Sequence, residues 1–462
     1  MKLELKDKQV LVLGLGDTGL SALRWLARQG AILSVADTRE MPPGIEVLKA
    51  ELPQVKVHTG EFQSTIFDGA DLIVTSPGVP LSTPEIQAVI ARDIPVVGDV
   101  ELFAQAIACH PEYRTTKIIA ITGANGKTTV TTLVGEMCKA AGLRTIVAGN
   151  IGLPVLDVLT MQAPDVVVLE LSSFQLETTH SLNIAAAVVL NVTEDHMDRY
   201  ASFADYAAAK QRIFAHAQMK VINREDSYSA AMASSASTTV SFGLNSPVNK
   251  EDFGLLNQAG ITYLAQGITP LLPLAEMKLS GLHNAANALA ALALCRAVDL
   301  DFVPLVNTLR SFKGLPHRVE WVANISNIDF YDDSKGTNVG ATCAAIAGMT
   351  KNGLPQKVVL IAGGEGKGQD FSPLLHVVQT NARAVVLIGR DAALIEQALT
   401  ATTIPRYLAA DLPEAVNIAY KVARAGDAVL LSPACASFDM FKNYVHRAEV
   451  FVSSVTRLEA AI

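Results

Sequence analysis

Three glycine-rich turns between a strand and a helix constrain the fold of this chain more than any other feature of its sequence. They are VLVLGLGDTG (Val10 to Gly19), IIAITGANGKTT (Ile118 to Thr129) and VVLIAGGEGKG (Val358 to Gly368). Each follows an apolar run rich in β-branched residues and precedes a helical pattern, an alternation typical of parallel sheets covered by helices. The sequence therefore predicts an α/β protein.

The positions of the three turns also predict the domain organisation. At about 150 residues per domain, 462 residues indicate three domains, and each turn falls near the start of one. The polar stretch CHPEYRTTK (109–117) and the Gly/Pro-containing KGLPHR (313–318) are the candidate boundaries. We therefore expect domains at 1–113, 114–316 and 317–462.

Composition excludes several classes of protein. The formal net charge is −8 and only 18% of residues are charged, so the chain lacks the basic surface of a nucleic-acid binder. No apolar run approaches the roughly 18 residues of a membrane span, and MKLELKDKQV lacks the apolar block of a signal peptide. The five cysteines are scattered without a C-x-x-C pair, against a disulfide scaffold. We expect a globular protein of the reducing cytoplasm.

The first turn contains the spacing G-x-G-x-x-G at Gly14, Gly16 and Gly19, and Asp37 closes the next strand. This pattern is typical of dinucleotide sites, where a helix N-terminus holds phosphate and the acid holds a ribose hydroxyl. Taken alone it indicates NAD. The same turn could hold another diphosphate such as UDP, or its glycines could serve packing alone.

The second turn, TGANGKTT, places Lys127, Thr128 and Thr129 at a helix start directly after an apolar strand. In such loops backbone N–H groups surround phosphates, the lysine reaches the terminal phosphates, and a hydroxyl ligates Mg²⁺. Ile121 stands where the common P-loop has its first glycine. The loop nevertheless predicts a nucleoside triphosphate site in a P-loop ATPase-like central α/β domain. With the first and third turns, we expect this domain to be flanked by N- and C-terminal domains with Rossmann-like parallel sheets.

Candidate metal ligands follow downstream of this loop. Glu170 ends the buried-strand run PDVVVLE, and His196 follows another apolar strand, at the sheet edge where α/β proteins bind ligands. A strand-end acid is often only a solvated cap, and a lone histidine is more often structural than a ligand. Lys210 lies on an alanine-rich helix, where the residues alone favour a solvated face.

Several stretches, in this order over nearly the whole chain, resemble the Mur ligases. They are GANGKTT, ELSSFQLE, NVTEDHMDRY, the lysine at 210, GLHNAANALAA, GLPHRVE, DDSKGTNVGA, GGEGKGQDF and LSPACASFDMFKNY. Within that family the resemblance implies an ATP-dependent ligase of peptidoglycan precursor synthesis that adds D-glutamate to UDP-N-acetylmuramoyl-L-alanine through an acyl phosphate and a tetrahedral intermediate. It implies small-molecule partners and a monomer.

The resemblance also implies which residues bind each substrate. For ATP they are Gly123, Asn125, Gly126, Lys127, Thr128, Thr129, Asn287, Arg318 and Asp333. For the UDP substrate they are Asp17, Thr18, Asp37, Thr38, Ser76, Gly78, Asn150, Ser172 and His196. For D-glutamate they are Lys335, Thr337, Lys367, Ser437 and Tyr444.

Two Mg²⁺ sites and a modified lysine are implied in the same way. Thr128 and Glu170 would ligate one ion, and His196 would hold the second together with Lys210 carrying a carbamate derived from CO₂. Lys127, His196 and Lys210 would then be the catalytic residues. This sequence departs from the family pattern at Asp17, Gly336 and Tyr444, which affects fine substrate contacts rather than the class of reaction.

Rival functions account for less of the chain. A nicotinamide oxidoreductase explains the first turn but leaves GKTT without a role. A P-loop transport or switch ATPase leaves the flanking domains and the set Glu170, His196 and Lys210 unexplained. Another Mur ligase or an amide ligase like folylpolyglutamate synthetase would share the ATPase core, whereas SSFQLE and SPACASFD favour the D-glutamate enzyme.

Overall fold

Three large sheets, each covered by helices, form the framework of the computed structural model, which describes residues 4–233, 238–279, 281–351 and 354–460. Their central strands are buried on both faces, which explains the continuous β-branched and apolar runs in the sequence. The predicted α/β class with three parallel-dominated sheets is confirmed.

The N-terminal sheet is five-stranded and entirely parallel, with strand order β3-β2-β1-β4-β5. Its strands are β1 (Gln9–Leu13), β2 (Ile32–Asp37), β3 (Lys56–Thr59), β4 (Leu72–Thr75) and β5 (Val96–Val97). Its helices are α1 (Asp17–Arg28), α2 (Ile45–Glu51), α3 (Pro84–Ile90) and α4 (Asp99–Cys109), with 3₁₀ turns at Ser64–Phe67 and Pro111–Tyr113. This is the Rossmann-like sheet that the first turn predicted.

The central sheet has nine strands in the order β14-β13-β12-β11-β10-β9-β6-β8-β7. The strands are β6 (Lys117–Thr122), β7 (Thr145–Gly149), β8 (Val166–Glu170), β9 (Ile184–Val189), β10 (Ala217–Asn223), β11 (Thr238–Phe242), β12 (Phe253–Gln258), β13 (Ile261–Gln266) and β14 (Thr269–Pro273). The pairs β12–β13 and β13–β14 are antiparallel, whereas the other neighbours are parallel. An antiparallel edge thus extends a parallel ATPase-like core.

Six helices belong to the described residues of this central part. They are α5 (Lys127–Ala140), α6 (Ser173–Glu177), α7 (Phe203–Gln211), α8 (Ser227–Ala231), α9 (Leu282–Arg296) and α10 (Phe302–Ser311), with 3₁₀ turns at Val155–Thr160, Arg212–Phe214 and Leu274–Glu276. Helices α5 and α9 bury apolar faces in one core with the sheet. This packing fixes the position of α5, whose first turn follows the GANG loop.

The C-terminal sheet has six strands in the order β15-β16-β22-β19-β20-β21, antiparallel only between β15 and β16. Its strands are β15 (Glu320–Ile325), β16 (Ile328–Asp332), β19 (Val358–Gly363), β20 (Ala382–Ile388), β21 (Arg406–Leu408) and β22 (Ala428–Leu431); β17 (Thr350–Lys351) and β18 (Leu354–Pro355) form a separate two-stranded ladder. Helices are α11 (Val339–Gly348), α12 (Leu374–Asn381), α13 (Ala392–Ala398), α14 (Leu412–Val422) and α15 (Tyr444–Ala460).

Partly buried polar contacts join the N-terminal sheet and its helices to the central part. The carboxylate of Glu101 on α4 accepts hydrogen bonds from the backbone N–H groups of His180, at 2.6 Å, and Ser181, at 2.9 Å. Ser21 on α1 donates to Asp157 at 2.6 Å. These contacts hold the first glycine turn beside the central sheet. Among the described helices, none is long and apolar enough to cross a membrane.

Candidate active site

The three glycines of the first turn have three different structural roles. Gly14 has φ +90°, a conformation that side chains rarely adopt, and a Cβ on Gly19 would lie 1.9 Å from the carbonyl oxygen of Gly14. No described atom lies within 4 Å of a Cβ built on Gly16. Gly14 and Gly19 are therefore required by the turn itself, whereas the space at Gly16 remains open to a ligand.

A cavity of about 480 Å³ lies in front of this turn. Seven of the nine residues expected at the UDP substrate line it: Asp17, Thr18, Asp37, Thr38, Ser76, Gly78 and Asn150. Asn150 comes from the central part of the chain, so the cavity spans two sheets. Arg39 and Gln175 also line it, and sequence reasoning missed both.

Asp37 is already hydrogen-bonded by its own neighbours. Arg39 donates to it at 2.6 and 2.8 Å, and the backbone N–H of Leu15 donates at 2.7 Å. Burial alone would raise the pKa of Asp37, but these hydrogen bonds lower it below its usual value. The acid therefore stays ionised, and the half-exposed Arg39 supplies the cavity with a cation. The position of this arginine, two residues after the strand-end acid, is the sequence signal that could have identified Arg39 as a cavity residue.

The other two residues expected at the UDP substrate, Ser172 and His196, do not line this cavity. Ser172 is the N-cap of α6, where its hydroxyl accepts from the backbone N–H of Gln175 at 3.2 Å. The Gln175 side chain returns a contact to Ser172, in a capping box. His196 packs edge-on against the ring of Phe174, with 4.9 Å between the ring centroids.

The central loop places a half-buried lysine against backbone carbonyls. Gly126 has φ +83°, and a Cβ there would lie 2.5 Å from the Asn287 side chain. The Nζ of Lys127 donates to the carbonyl oxygens of Gly123, at 2.8 Å, and Ala124, at 2.9 Å. Burial lowers the pKa of Lys127. The lysine thus folds back over the loop on which phosphates would be bound.

Lys210 meets the same loop from the side, against the expectation from its own helix. Its Nζ donates to the carbonyl oxygen of Gly123 at 2.9 Å and lies 4.5 Å from the centroid of the Tyr206 ring. The residue is only 2% exposed, so the face of α7 that carries it is buried rather than solvated. Burial, together with the positive charge of Lys127, lowers the pKa of Lys210 well below its usual value.

The predicted ATP residues surround a cavity of about 240 Å³ between the central and C-terminal sheets. Six of the nine line it: Asn125, Gly126, Thr129, Asn287, Arg318 and Asp333. Gly123, Lys127 and Thr128 belong to the same loop and helix start, and Arg318 donates to the Thr128 hydroxyl at 3.0 Å. Phe242 and His283, which sequence reasoning missed, also line this cavity.

Asp333 is a buried acid on the C-terminal side of this cavity. The Ser432 hydroxyl donates to it at 2.6 Å, and Arg318 provides the nearby positive charge. Burial nevertheless raises the pKa of Asp333 to about 7. A carboxyl that is close to half-protonated near neutral pH can donate to or accept from a ribose hydroxyl.

An asparagine pair joins the nucleotide loop to the C-terminal part. The Nδ2 of Asn338, the N-cap of α11, donates to Asn125 at 3.0 Å and to Asp195 at 3.3 Å. Asn125 in turn donates to the Thr193 hydroxyl at 3.2 Å. The C-terminal sheet is thereby held against the loop and against the TEDH segment.

The proposed Mg²⁺ ligands offer suitable donor atoms. One oxygen of Glu170 accepts from Asn150 at 2.8 Å, whereas the other is buried with no hydrogen-bond partner among the described residues. Burial lowers the pKa of His196 to about 4. The positive charges of Lys367 and Lys127 also lower this pKa, whereas the negative charge of Asp195 raises it. A neutral imidazole and an unpaired carboxylate oxygen fit a divalent cation.

The residues expected at D-glutamate do not share one cavity. Lys335 and Tyr444 line a cavity of about 450 Å³ together with Thr128, Asn150 and Arg318. Lys367 instead pairs with Asp195 at 2.6 Å. The remaining two, Thr337 and Ser437, lie outside the lining of this cavity.

Another group of potential metal ligands lies beside this cavity, and sequence reasoning did not single it out. His317, Glu320 and Asp332 bring one ligand atom each within 4.8 Å of one another. The Nδ1 of His317 is 2.7 Å from an Asp332 oxygen, and Ser334 donates to the other oxygen of Asp332. These contacts fix the imidazole beside the ring of Tyr444.

Models of protein families match three consecutive parts of the chain. They are the Mur ligase MurD-like N-terminal domain at residues 8–98, the Mur ligase middle domain at 121–295 and the Mur ligase glutamate ligase domain at 317–435. Each match falls on one of the three sheets described above.

Whole-chain relatives agree with these matches. The chain is 61% identical over 457 residues to the UDP-N-acetylmuramoylalanine–D-glutamate ligase of Methylobacillus flagellatus, covering 99% of this chain and 98% of the relative. It is 55% identical over 472 residues to the enzyme of the same name from Thiobacillus denitrificans, again covering 99% and 98%.

Solved structures with little sequence identity share the fold. MurF ligase of Thermotoga maritima in complex with ADP superposes with a TM-score of 0.61 at 14% identity, covering 99% of this chain and 97% of that one. The UDP-N-acetylmuramate–alanine ligase MurC of the same organism gives 0.60 at 19%, covering 97% and 99%. From the family matches and the whole-chain relatives, this chain belongs to the Mur ligase family.

Proposed function

We propose that this chain is an ATP-dependent ligase that joins the amino group of D-glutamate to the carboxylate of UDP-N-acetylmuramoyl-L-alanine. The arrangement of three cavities carries the proposal. The cavity of Lys335 and Tyr444 shares Asn150 with the cavity at the first glycine turn, and it shares Arg318 with the nucleotide cavity. A carboxylate, a terminal phosphate and an amine can therefore meet at one place.

In this proposal the chain binds ATP on the central loop, with Asn287, Arg318 and Asp333 closing over the nucleoside. The substrate carboxylate attacks the γ-phosphate and displaces ADP, giving an acyl phosphate, which has a good leaving group. The amine of D-glutamate then attacks the acyl carbon, and phosphate leaves. Lys127 exchanges its carbonyl contacts for phosphate oxygens and offsets the charge of the tetrahedral intermediate.

Two Mg²⁺ ions complete the proposed site. Thr128 and Glu170 would hold one, and His196 would hold the other together with a carbamate on Lys210. When bound, the ions neutralise charge on the phosphate oxygens. The buried, neutral amine of Lys210 is the form that adds CO₂, losing one proton to become an anion. This modification would turn a side chain that now donates to Gly123 into a metal ligand.

In this proposal, the residues implied by the family resemblance make the remaining substrate contacts. Asp17, Thr18, Asp37, Thr38, Ser76, Gly78 and Asn150, with Arg39 added from the structure, hold the UDP substrate. Lys335, Thr337, Lys367, Ser437 and Tyr444 hold D-glutamate after Lys367 has left Asp195. We infer domains at 1–113, 114–316 and 317–462, acting as a monomer in the cytoplasm.

Phosphate release from ATP tests the proposal. It should require both UDP-N-acetylmuramoyl-L-alanine and D-glutamate, because the carboxylate must be activated before the amine can attack it. A panel of amino acids, with L-glutamate as the matched control, separates this ligase from other members of the family. Equal turnover with L-glutamate, or turnover without the UDP substrate, would contradict the proposal.

A further inference from the structure

The four lysines around the site differ in what their ammonium groups contact. Lys127 and Lys210 donate to backbone carbonyls of the central loop, and Lys367 is paired with Asp195. Lys335 has no oxygen acceptor among the residues that the structure describes, and its Nζ lies 3.9 Å from the centroid of the Tyr444 ring. Of the four, Lys335 is therefore the lysine whose ammonium group has no described protein oxygen to leave before it meets a substrate.

The surroundings of Lys335 also favour the neutral amine. Burial lowers the pKa of Lys335 to about 8. The positive charges of Arg318 and Lys127 also lower this pKa, whereas the negative charge of Glu170 raises it. The His317 ring packs against Tyr444, the aromatic contact of Lys335. The Nδ1 of His317, however, already contacts Asp332. An aromatic face attracts a cation only weakly compared with a carboxylate.

The position of this amine matches a chemical need of the proposed reaction. Lys335 lines the cavity that also contains Thr128 of the nucleotide loop and Asn150 of the sugar-nucleotide cavity. D-glutamate arrives as an ammonium ion, which has no electron pair with which to attack an acyl phosphate. A base is therefore required where the amine meets the acyl carbon.

We propose that Lys335 is the base that takes the proton from the ammonium group of D-glutamate, an inference that rests on the proposed function. One N–H bond of D-glutamate breaks and its proton moves to the Nζ of Lys335. The freed electron pair forms the bond to the acyl carbon. The nitrogen then gives its second proton to the phosphate group, and the carbon–oxygen bond to phosphate breaks to leave the amide. Lys335 leaves this step as an ammonium ion and passes its proton to the departing phosphate or to water.

Hydroxylamine separates this role from substrate binding, because it is already neutral at the assay pH and needs no base. Wild-type protein with ATP, UDP-N-acetylmuramoyl-L-alanine and hydroxylamine should form the acyl hydroxamate. Lys335→Arg keeps a cation over Tyr444 but cannot accept a proton. Its hydroxamate formation should stay within about twofold of wild type while kcat with D-glutamate falls by about a hundredfold or more.

The pH profile and rescue provide a second measurement. In wild type, kcat/KM for D-glutamate should level off above pH of about 8, whereas in Lys335→Arg it should keep rising with the fraction of free amine. Added methylamine should restore part of the ligation by Lys335→Ala. Lys367→Arg is the matched control, because it should change the KM for D-glutamate without changing the pH profile.

The outcomes distinguish the two proposals. Parallel losses of hydroxamate and ligation in Lys335→Arg, without amine rescue of Lys335→Ala, would overturn the base, and so would full ligation activity in Lys335→Arg. Absence of hydroxamate with the wild-type protein would contradict the proposed ligase itself, and the base with it.

Discussion

The first glycine turn and the central loop are built alike but are charged differently. In both, a buried strand ends in glycines at the start of a helix. At the first turn, Asp37 is neutralised by Arg39, which follows two residues later, just after the end of β2. At the central loop, Lys127, Lys210 and Arg318 approach from three separate elements.

This difference follows from what each turn is proposed to do. A diphosphate that does not react can be bound by backbone N–H groups and one surface arginine. A phosphoryl group that is transferred develops charge, and it needs cations that are already in place in a site of low dielectric. The cations Lys127 and Arg318, already in place at the central loop, are therefore the feature that separates the reactive turn from the binding turn.

The largest expected effect is the loss of the buried lysine side chain at position 210. Lys210→Ala should lower kcat by about a hundredfold to a thousandfold, because the proposed carbamate would be lost, while ATP affinity and melting temperature change little. Steady-state kinetics with nucleotide titration check this. Added acetate should restore part of the activity, and an unmodified Lys210 remote from metal in a substrate complex would contradict the carbamate.

Alanine at one glycine in each turn tests whether the two turns act independently. Gly126→Ala forces a side chain into φ +83° beside Asn287 and should raise the KM for ATP by roughly tenfold to a hundredfold. Gly16→Ala meets no described atom within 4 Å and should raise only the KM for the UDP substrate, by about tenfold. A change in the same KM for both variants would show that the turns are coupled.

Lys367→Ala should raise the KM for D-glutamate by roughly tenfold or more, the effect of one lost charge-assisted contact of about 1.5 to 3 kcal/mol. The KM values for ATP and the UDP substrate should change little. Asp195→Asn is the variant to compare with it, because this change frees Lys367 from its ion pair without removing the lysine. An unchanged KM for D-glutamate in Lys367→Ala would place the amino-acid site elsewhere.

The smallest expected effect concerns stability. The pKa of Asp333 is raised from 3.8 to about 7 in the fold, so between these values the native state binds a proton that the unfolded state does not. Stability should therefore fall as pH rises through this range. Asp333→Asn should remove this slope and raise Tm by a few degrees at pH 8 relative to wild type, in scanning calorimetry. An unchanged slope would assign the pH dependence to other groups.

The sequence was sufficient for features that a short segment determines by itself. The three turns predicted the sheets because strand, glycine and helix follow one another within about a dozen residues. The antiparallel edge formed by β12, β13 and β14 was not predicted, since pairing of these strands depends on the exposed edge of β11 rather than on their own pattern.

Features that depend on distant partners were less predictable. The alanine-rich α7 gives no local sign that Lys210 is buried, because the groups that cover it, Tyr206 apart, come from other elements. Only the family resemblance pointed to it. The pairing of Lys367 with Asp195 joins residues 172 positions apart, and no spacing rule relates them.

The cap of α11 has a consequence for how the two sides of the nucleotide cavity can separate. The oxygen of the Asn338 amide accepts the N–H of Ala341 and so completes the helix start, whereas its nitrogen donates across to Asn125 and Asp195. The two halves of one amide thus serve two different tasks. Parting the sheets would expose only the nitrogen to water, so the nucleotide could enter or leave without unwinding the helix that faces it.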